Sequence, residues 1–276
     1  MKHKKNGFTL VEMSLFLAVT GLLFVGIIAG TQNTIRRQRY NDSVQNFVDF
    51  WRNIYASVSN TQNNTAERGR SDQAIYGKLV VFGQTKGLDS KPVNNKDQVI
   101  YSYDVVADAT SAGTGSAVEV LKEMHANILV MQNDIAYTAG IADSYIPTWG
   151  AVIESTRQDL SGGAALFKGS ILVIRHPRSG VINTFISKNT VIDANQYLTG
   201  ASVSDTDVNK LLQQYLNRTP SENGAFVQDT IDFCVNSDDI GFTKTRRQDV
   251  RLIQNARNQS GIEIISLDDS DNPCTH

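Results

Sequence analysis

Glu12 is the one charged residue in the stretch Phe8–Gly30, which is otherwise apolar apart from small hydroxyl residues. A carboxylate at membrane depth costs roughly 2.5–3.5 kcal/mol on insertion scales and so normally has a partner. The stretch holds no Lys, Arg or His. A cation can be made there, however. Cleavage after Gly7 would free the amine of Phe8, four residues before Glu12 and so about one helical turn away. The carboxylate could then meet its own amine or that of a chain packed alongside. The simpler reading is a signal anchor with Glu12 near the lipid headgroups. The residues alone leave both open.

The surroundings favour a retained membrane helix. The 23 residues from Phe8 to Gly30 span about 35 Å as a helix. Lys2, Lys4 and Lys5 precede them and favour an N-terminus left in the cytoplasm. A secretory signal has a shorter apolar region and small residues before its cut. Cuts after Ala29 or Gly30 would place Ile27 or Ile28 at the third position before the cleaved bond, which fits badly. No cysteine follows for lipid attachment.

The string "KKNGFTLVEMS", residues 4–14, resembles the processing site of type IV prepilins and pseudopilins. The matching features are the short basic leader, Gly7, Phe8, Glu12 as the fifth residue after the cut, and Gly21 within the helix. The resemblance covers the first 25–30 residues. It implies a prepilin peptidase that removes residues 1–7 and N-methylates Phe8. It implies assembly, through an assembly platform, into a filament of pilin subunits in which Glu12 binds a neighbour's N-terminal amine. One departure is visible: the late stretch reads Ile27-Ile28-Ala29-Gly30, where many members carry a proline. Local melting would then rest on Gly21, Gly26 and Gly30, at about 1 kcal/mol each relative to alanine.

These residues need a long helix to position them. Tyr40, Val44, Phe47, Val48, Trp51, Ile54, Tyr55 and Val58 continue at helical spacing as an amphipathic face. A helix over 8–60 is expected, its membrane half at 8–30 and its second half under a head. Arg36, Arg37 and Arg39, just past the apolar stretch, read as a solvated face or as a subunit contact.

Residues 61–276 form the expected globular head. Ala74–Gly83, Gln98–Ala107, Trp149–Ser155 and 229–236 read as strands, and residues 170–187 and 250–267 as hairpins around Pro177–Gly180 and Asn258–Gly261. Ser116 and Glu119 form a capping box that opens a helix with Val118, Leu121, His125, Ile128 and Leu129 on one face. Val208, Leu211, Leu212, Tyr215 and Leu216 form another helical stripe. The class is α+β: a long N-terminal helix on a mainly antiparallel sheet with short accessory helices. Stretches near 108–116 and 140–148 are candidate seams, should the head divide in two.

Cys234 and Cys274 are the only cysteines of the 276 residues. In an exported protein they read as one disulfide; in the cytosol they would be two thiols. Cys234 shares a strand face with Asp232 and Asn236, opposite Ile231, Phe233 and Val235. A bond would pin the tail across the outside of the sheet and close a loop of about 41 residues, worth roughly 4 kcal/mol. This too resembles the disulfide-closed C-terminal region of many pilins.

Other chemistry finds little footing. His3, His125, His176 and His276 are scattered, and His125 reads as a core residue. No P-loop, G-x-S-x-G or H-E-x-x-H string occurs. Asp268, Asp269, Asp271 and Asn272 are weak calcium candidates without an EF-hand pattern, as is the acidic turn at 236–241. A net charge of −2 argues against a nucleic-acid partner. The expectation is a non-enzymatic minor pilin without a cofactor, anchored in the membrane and then extracellular. The large head argues against an abundant major subunit. A pseudopilin of a secretion or DNA-uptake system is the alternative, and an anchored exported enzyme or binding module a remote one.

Overall fold

The computed structural model describes residues 9–60, 73–84, 98–108, 114–132, 137–139, 141–155, 169–185, 205–217, 230–237, 247–253, 257–265 and 274. Helix α1, Leu10–Ser59, is a continuous run of 50 residues, about 75 Å long. Gly21, Gly26 and Gly30 lie within it without interrupting it. Its C-terminal end is closed by the Asn60 N–H donating to Ala56 O and by Arg175 Nη1 donating to Ser59 O at 2.7 Å. A cation at that end complements the helix dipole.

The head has twelve strands and two further helices among the described residues. β1 (Gln73–Gln84) and β2 (Val99–Asp108) are long. α2 (Ala117–Glu123) leads into the short strands β3 (Asn127–Ile128), β4 (Val130–Gln132), β5 (Tyr137–Ala139) and β6 (Ile141–Tyr145). β7 (Val152–Ser155), β8 (Ser170–Arg175) and β9 (Ile182–Phe185) follow. Then come α3 (Asp205–Asn217), β10 (Ile231–Asn236), β11 (Arg247–Leu252) and β12 (Ile262–Ile265). The first sheet runs β3-β2-β1-β8-β9 with β6 also on β2; the second runs β12-β11-β10-β7; β4 and β5 form a ribbon. Every pair is antiparallel. β7 lies between first-sheet strands in sequence yet pairs with β10, so the chain stitches the two sheets together.

Alternation across the strands divides the interior into two clusters. Val80, Phe82, Ile100, Ile171 and Val173 of the first sheet join Ile153, Phe233, Val235, Val250 and Leu252 of the second. Tyr40, Phe47, Trp51, Ile54 and Tyr55 of α1 complete that cluster. Trp51, fully buried, forms a cluster of three mutually stacked rings with Phe82 at 6.1 Å and Phe233 at 5.8 Å, which are themselves 5.4 Å apart. The opposite face of the first sheet (Leu79, Val81, Tyr101, Tyr103, Leu172 and Ile174) meets α2 and α3 through Val120, Leu121, Val208, Leu211 and Leu212. β2 is therefore buried on both faces along nearly its whole length.

Four local expectations are corrected. The helix opened by Ser116 ends at Glu123, and Ile128 lies in β3. His125 is exposed at φ +52°, not in the core. The chain leaves the helix there because Asp108 N–H donates to Met124 O and Leu129 N–H to Asp104 O, drawing it alongside β2. Trp149 does not begin a strand: it sits in a single 3₁₀ turn, Thr148–Gly150, and β7 starts at Val152. The face of β10 that carries Cys234 is polar but buried, since Asn236, Asp249 and Glu154 are all covered.

Candidate functional site

The N-terminal site is built by the first turn of α1. Thr9 is its N-cap, and the two residues form a reciprocal capping box. Thr9 N–H and its Oγ1 hydroxyl donate to Glu12 Oε2 at 2.9 and 3.0 Å, and Glu12 N–H donates to Thr9 Oγ1 at 3.3 Å. Two orphan N–H groups of the helix end are satisfied in this way. Thr9 is a member of this site that sequence reasoning passed over. Its signal was legible as T-L-V-E, the same S/T-x-x-E spacing recognised at Ser116–Glu119. Gly7 and Phe8 lie outside the described residues.

Beyond this turn the helix is bare. Leu10, Val11, Leu15, Phe16, Leu22, Phe24 and Ile27 are all more than half exposed. None of the residues in the most apolar part of this helix is buried, and the helix is long and apolar enough to cross a membrane. Burial begins at Tyr40, whose hydroxyl donates to Val235 O at 2.9 Å.

The second site is the disulfide face. Cys234 and Cys274 are bonded, with Cα atoms 5.5 Å apart, and both are buried. Cys234 lies opposite Glu154 of β7 and Asp249 of β11. Asn236 Nδ2 donates to Glu154 Oε1 at 2.8 Å, and Arg247 Nε lies 3.3 Å from Glu154 Oε2. Arg251 pairs with Asp232 and lies 3.5 Å from Asp249 Oδ2. Neither carboxylate oxygen of Asp249 accepts a hydrogen bond within the described residues. Burial, with the Asp232 charge beside it, pushes the Asp249 carboxyl up to about 7. Such a group holds a proton at a pH where ordinary carboxylates have lost theirs. Asp268, Asp269 and Asp271 fall outside the described residues, as do Asn272 and 238–241 of the acidic turn. Among the described residues no group of three metal-ligating side chains comes together.

Comparison with known proteins returns nothing: no family model matches the chain, and neither a curated protein nor a solved structure is detectably similar to it. The chain's geometry separates a bare apolar shaft with an acid in its first turn from a head built around the same helix.

Proposed function

We propose that this chain is a structural subunit of a type IV pilus-like filament, of the minor kind, with no catalytic role. The observation that carries the reading is α1. One helix combines an exposed apolar half headed by Glu12 with a half whose aromatic face lies in the core of the head. A lone membrane anchor has no need to continue as the spine of the domain it tethers. A filament subunit does, because the same rigid rod must carry the head and pack against other rods. Before assembly the apolar half sits in the membrane; afterwards it is covered by neighbouring helices. The leader 1–7 is removed by a prepilin peptidase, and the amine of Phe8 pairs with a neighbour's Glu12. In the free subunit the Thr9 capping box holds that carboxylate, and assembly exchanges or adds a partner.

Mass spectrometry of the surface-assembled protein tests this. A chain beginning at N-methylated Phe8 is expected. An intact leader, or a cut near Ala29, would overturn the reading.

A further inference from the structure

Ile146 and Trp149 of the head are exposed by more than half. They flank Pro147 and Thr148 on the tip between β6 and β7. This tip is fastened to α1 where the helix enters the head. Ser43 Oγ donates to Thr148 O at 2.9 Å, and the Arg39 guanidinium lies 4.8 Å from the centre of the Trp149 ring. Trp149 is held at φ +60° and Gly150 at φ +78°. A non-glycine residue occupies that region only under constraint from its surroundings. Here the constraint turns a large indole outward instead of into the core.

The position of this tip along α1 identifies what it meets. The apolar stretch ends at Gly30, and Arg39 is nine residues further on, about 13 Å up the helix. Between them lie uncharged polar residues, Ile35, and then Arg36 and Arg37. The headgroup layer is about 5–8 Å deep beyond the hydrocarbon. Arg36 and Arg37 therefore stand at its outer margin, with Trp149 and Ile146 just above. A tilt of about 20°, ordinary for membrane helices, brings this side of the head down onto the headgroups. Tryptophan favours that layer because its ring is apolar and its N–H is polar. Three arginines beside it attract anionic lipid.

We propose that the tip Ile146–Trp149, with Arg36, Arg37 and Arg39, is a membrane-surface contact by which the head of the unassembled subunit leans on an anionic phospholipid headgroup layer. The proposal rests on the membrane-anchored reading above. The contact fixes the tilt and rotation of the subunit about its own helix, and so the direction in which Glu12 and the apolar shaft face other chains.

The chain has two tryptophans, and Trp51 is fully buried, so a quencher outside the protein acts on Trp149 while Trp51 contributes an unquenched background. The full chain is reconstituted in phosphatidylcholine vesicles with or without phosphatidylglycerol. Quenching by a spin label on the lipid headgroup is then compared between the wild type and Trp149→Phe. Headgroup quenching that disappears in Trp149→Phe is expected, at least twofold stronger with phosphatidylglycerol. Arg36→Gln/Arg37→Gln/Arg39→Gln should lose at least half of it. Trp51→Phe, which leaves Trp149 as the single indole, gives the same reading should Trp149→Phe not fold. If the chain floats with the vesicles but Trp149 answers only to aqueous acrylamide, the head stands clear of the membrane and the proposal fails while anchoring survives. Shielding that grows only with protein density would show that a second copy covers the tip, and would also overturn it. A chain that does not float with vesicles overturns the anchored reading itself.

Discussion

Glu12 has Thr9 as its partner within the chain, and the proposed filament would give it a second, so its substitution separates a local role from an assembly role. Within the chain it closes the capping box with Thr9. Losing that box costs about 1 kcal/mol of helix start, a small effect in a 50-residue helix. In the proposed filament its loss would strand a neighbour's amine in a low-dielectric bundle, at several kcal/mol. Glu12→Ala is therefore expected to insert into membranes as well as the wild type, and to be largely missing from sheared filaments. Equal recovery of both proteins in the sheared fraction would leave only the capping role. Asp249 makes the second residue-scale prediction. Its folded carboxyl is raised from 3.8 to about 7, chiefly by burial. The folded state therefore binds a proton more readily than the unfolded chain does. The resulting stability is complete below about pH 4 and is lost as pH rises to about 7, by at most about 1.4 kcal/mol per pH unit. Asp249→Asn, which cannot ionise, should flatten that slope. Melting curves of both proteins from pH 4 to pH 8 in detergent measure it, and parallel curves would show that the proton is not held there.

At the scale of elements, the second sheet depends on a staple as well as on its core face. Cys234 joins the middle of β10 to Cys274, 40 residues on. Removing a native disulfide of this kind typically costs 2–5 kcal/mol. Cys234→Ser/Cys274→Ser is expected to lower the denaturant midpoint accordingly without affecting membrane insertion, which belongs to the apolar half of α1. An unchanged midpoint would show that the buried face holds without the bond. The hairpins and the α3 stripe were legible in the sequence because turn residues and periodic apolar residues are local signals. The end of α2 was not. His125 continued the spacing of that helix, but the pull of β2 on Met124 and Leu129 is a long-range hydrogen-bonding effect that no local pattern carries.

In the molecule as a whole, α1 is the shared interior of two sheets. Trp51 touches both, through Phe82 of the first and Phe233 of the second. Truncating such a side chain costs about 3–5 kcal/mol. Trp51→Ala should destabilise the two sheets together, since each loses the same support. Amide hydrogen exchange should show β1 and β10 losing protection in parallel. Loss confined to one sheet would mean that the head is two independent units. The stitching of β7 into the second sheet argues for one. At this scale, immunogold labelling also separates the two filament readings. Label on long surface filaments is expected for a pilus subunit, and label confined to the envelope would favour the pseudopilin alternative.

The sequence by itself determined the helix, its division near Tyr40, the positions of the longer strands and the pairing available to two cysteines. Each follows from periodicity, length or count, which are properties of neighbouring residues. Only the tertiary structure decided which faces are covered. Alternation showed that Cys234, Asp232 and Asn236 share a polar face, but polar does not mean exposed, and Asp249 opposite Cys234 is fully buried. It likewise decided that β2 is buried on both sides, with Ile100 in the cluster built on α1 and Tyr101, Tyr103 and Val105 in the cluster built on α2 and α3. It decided, too, that Trp149, apolar enough for a core, stands outside. Burial depends on what segments distant in the chain bring to a surface, and a residue's own neighbours in sequence do not contain that information.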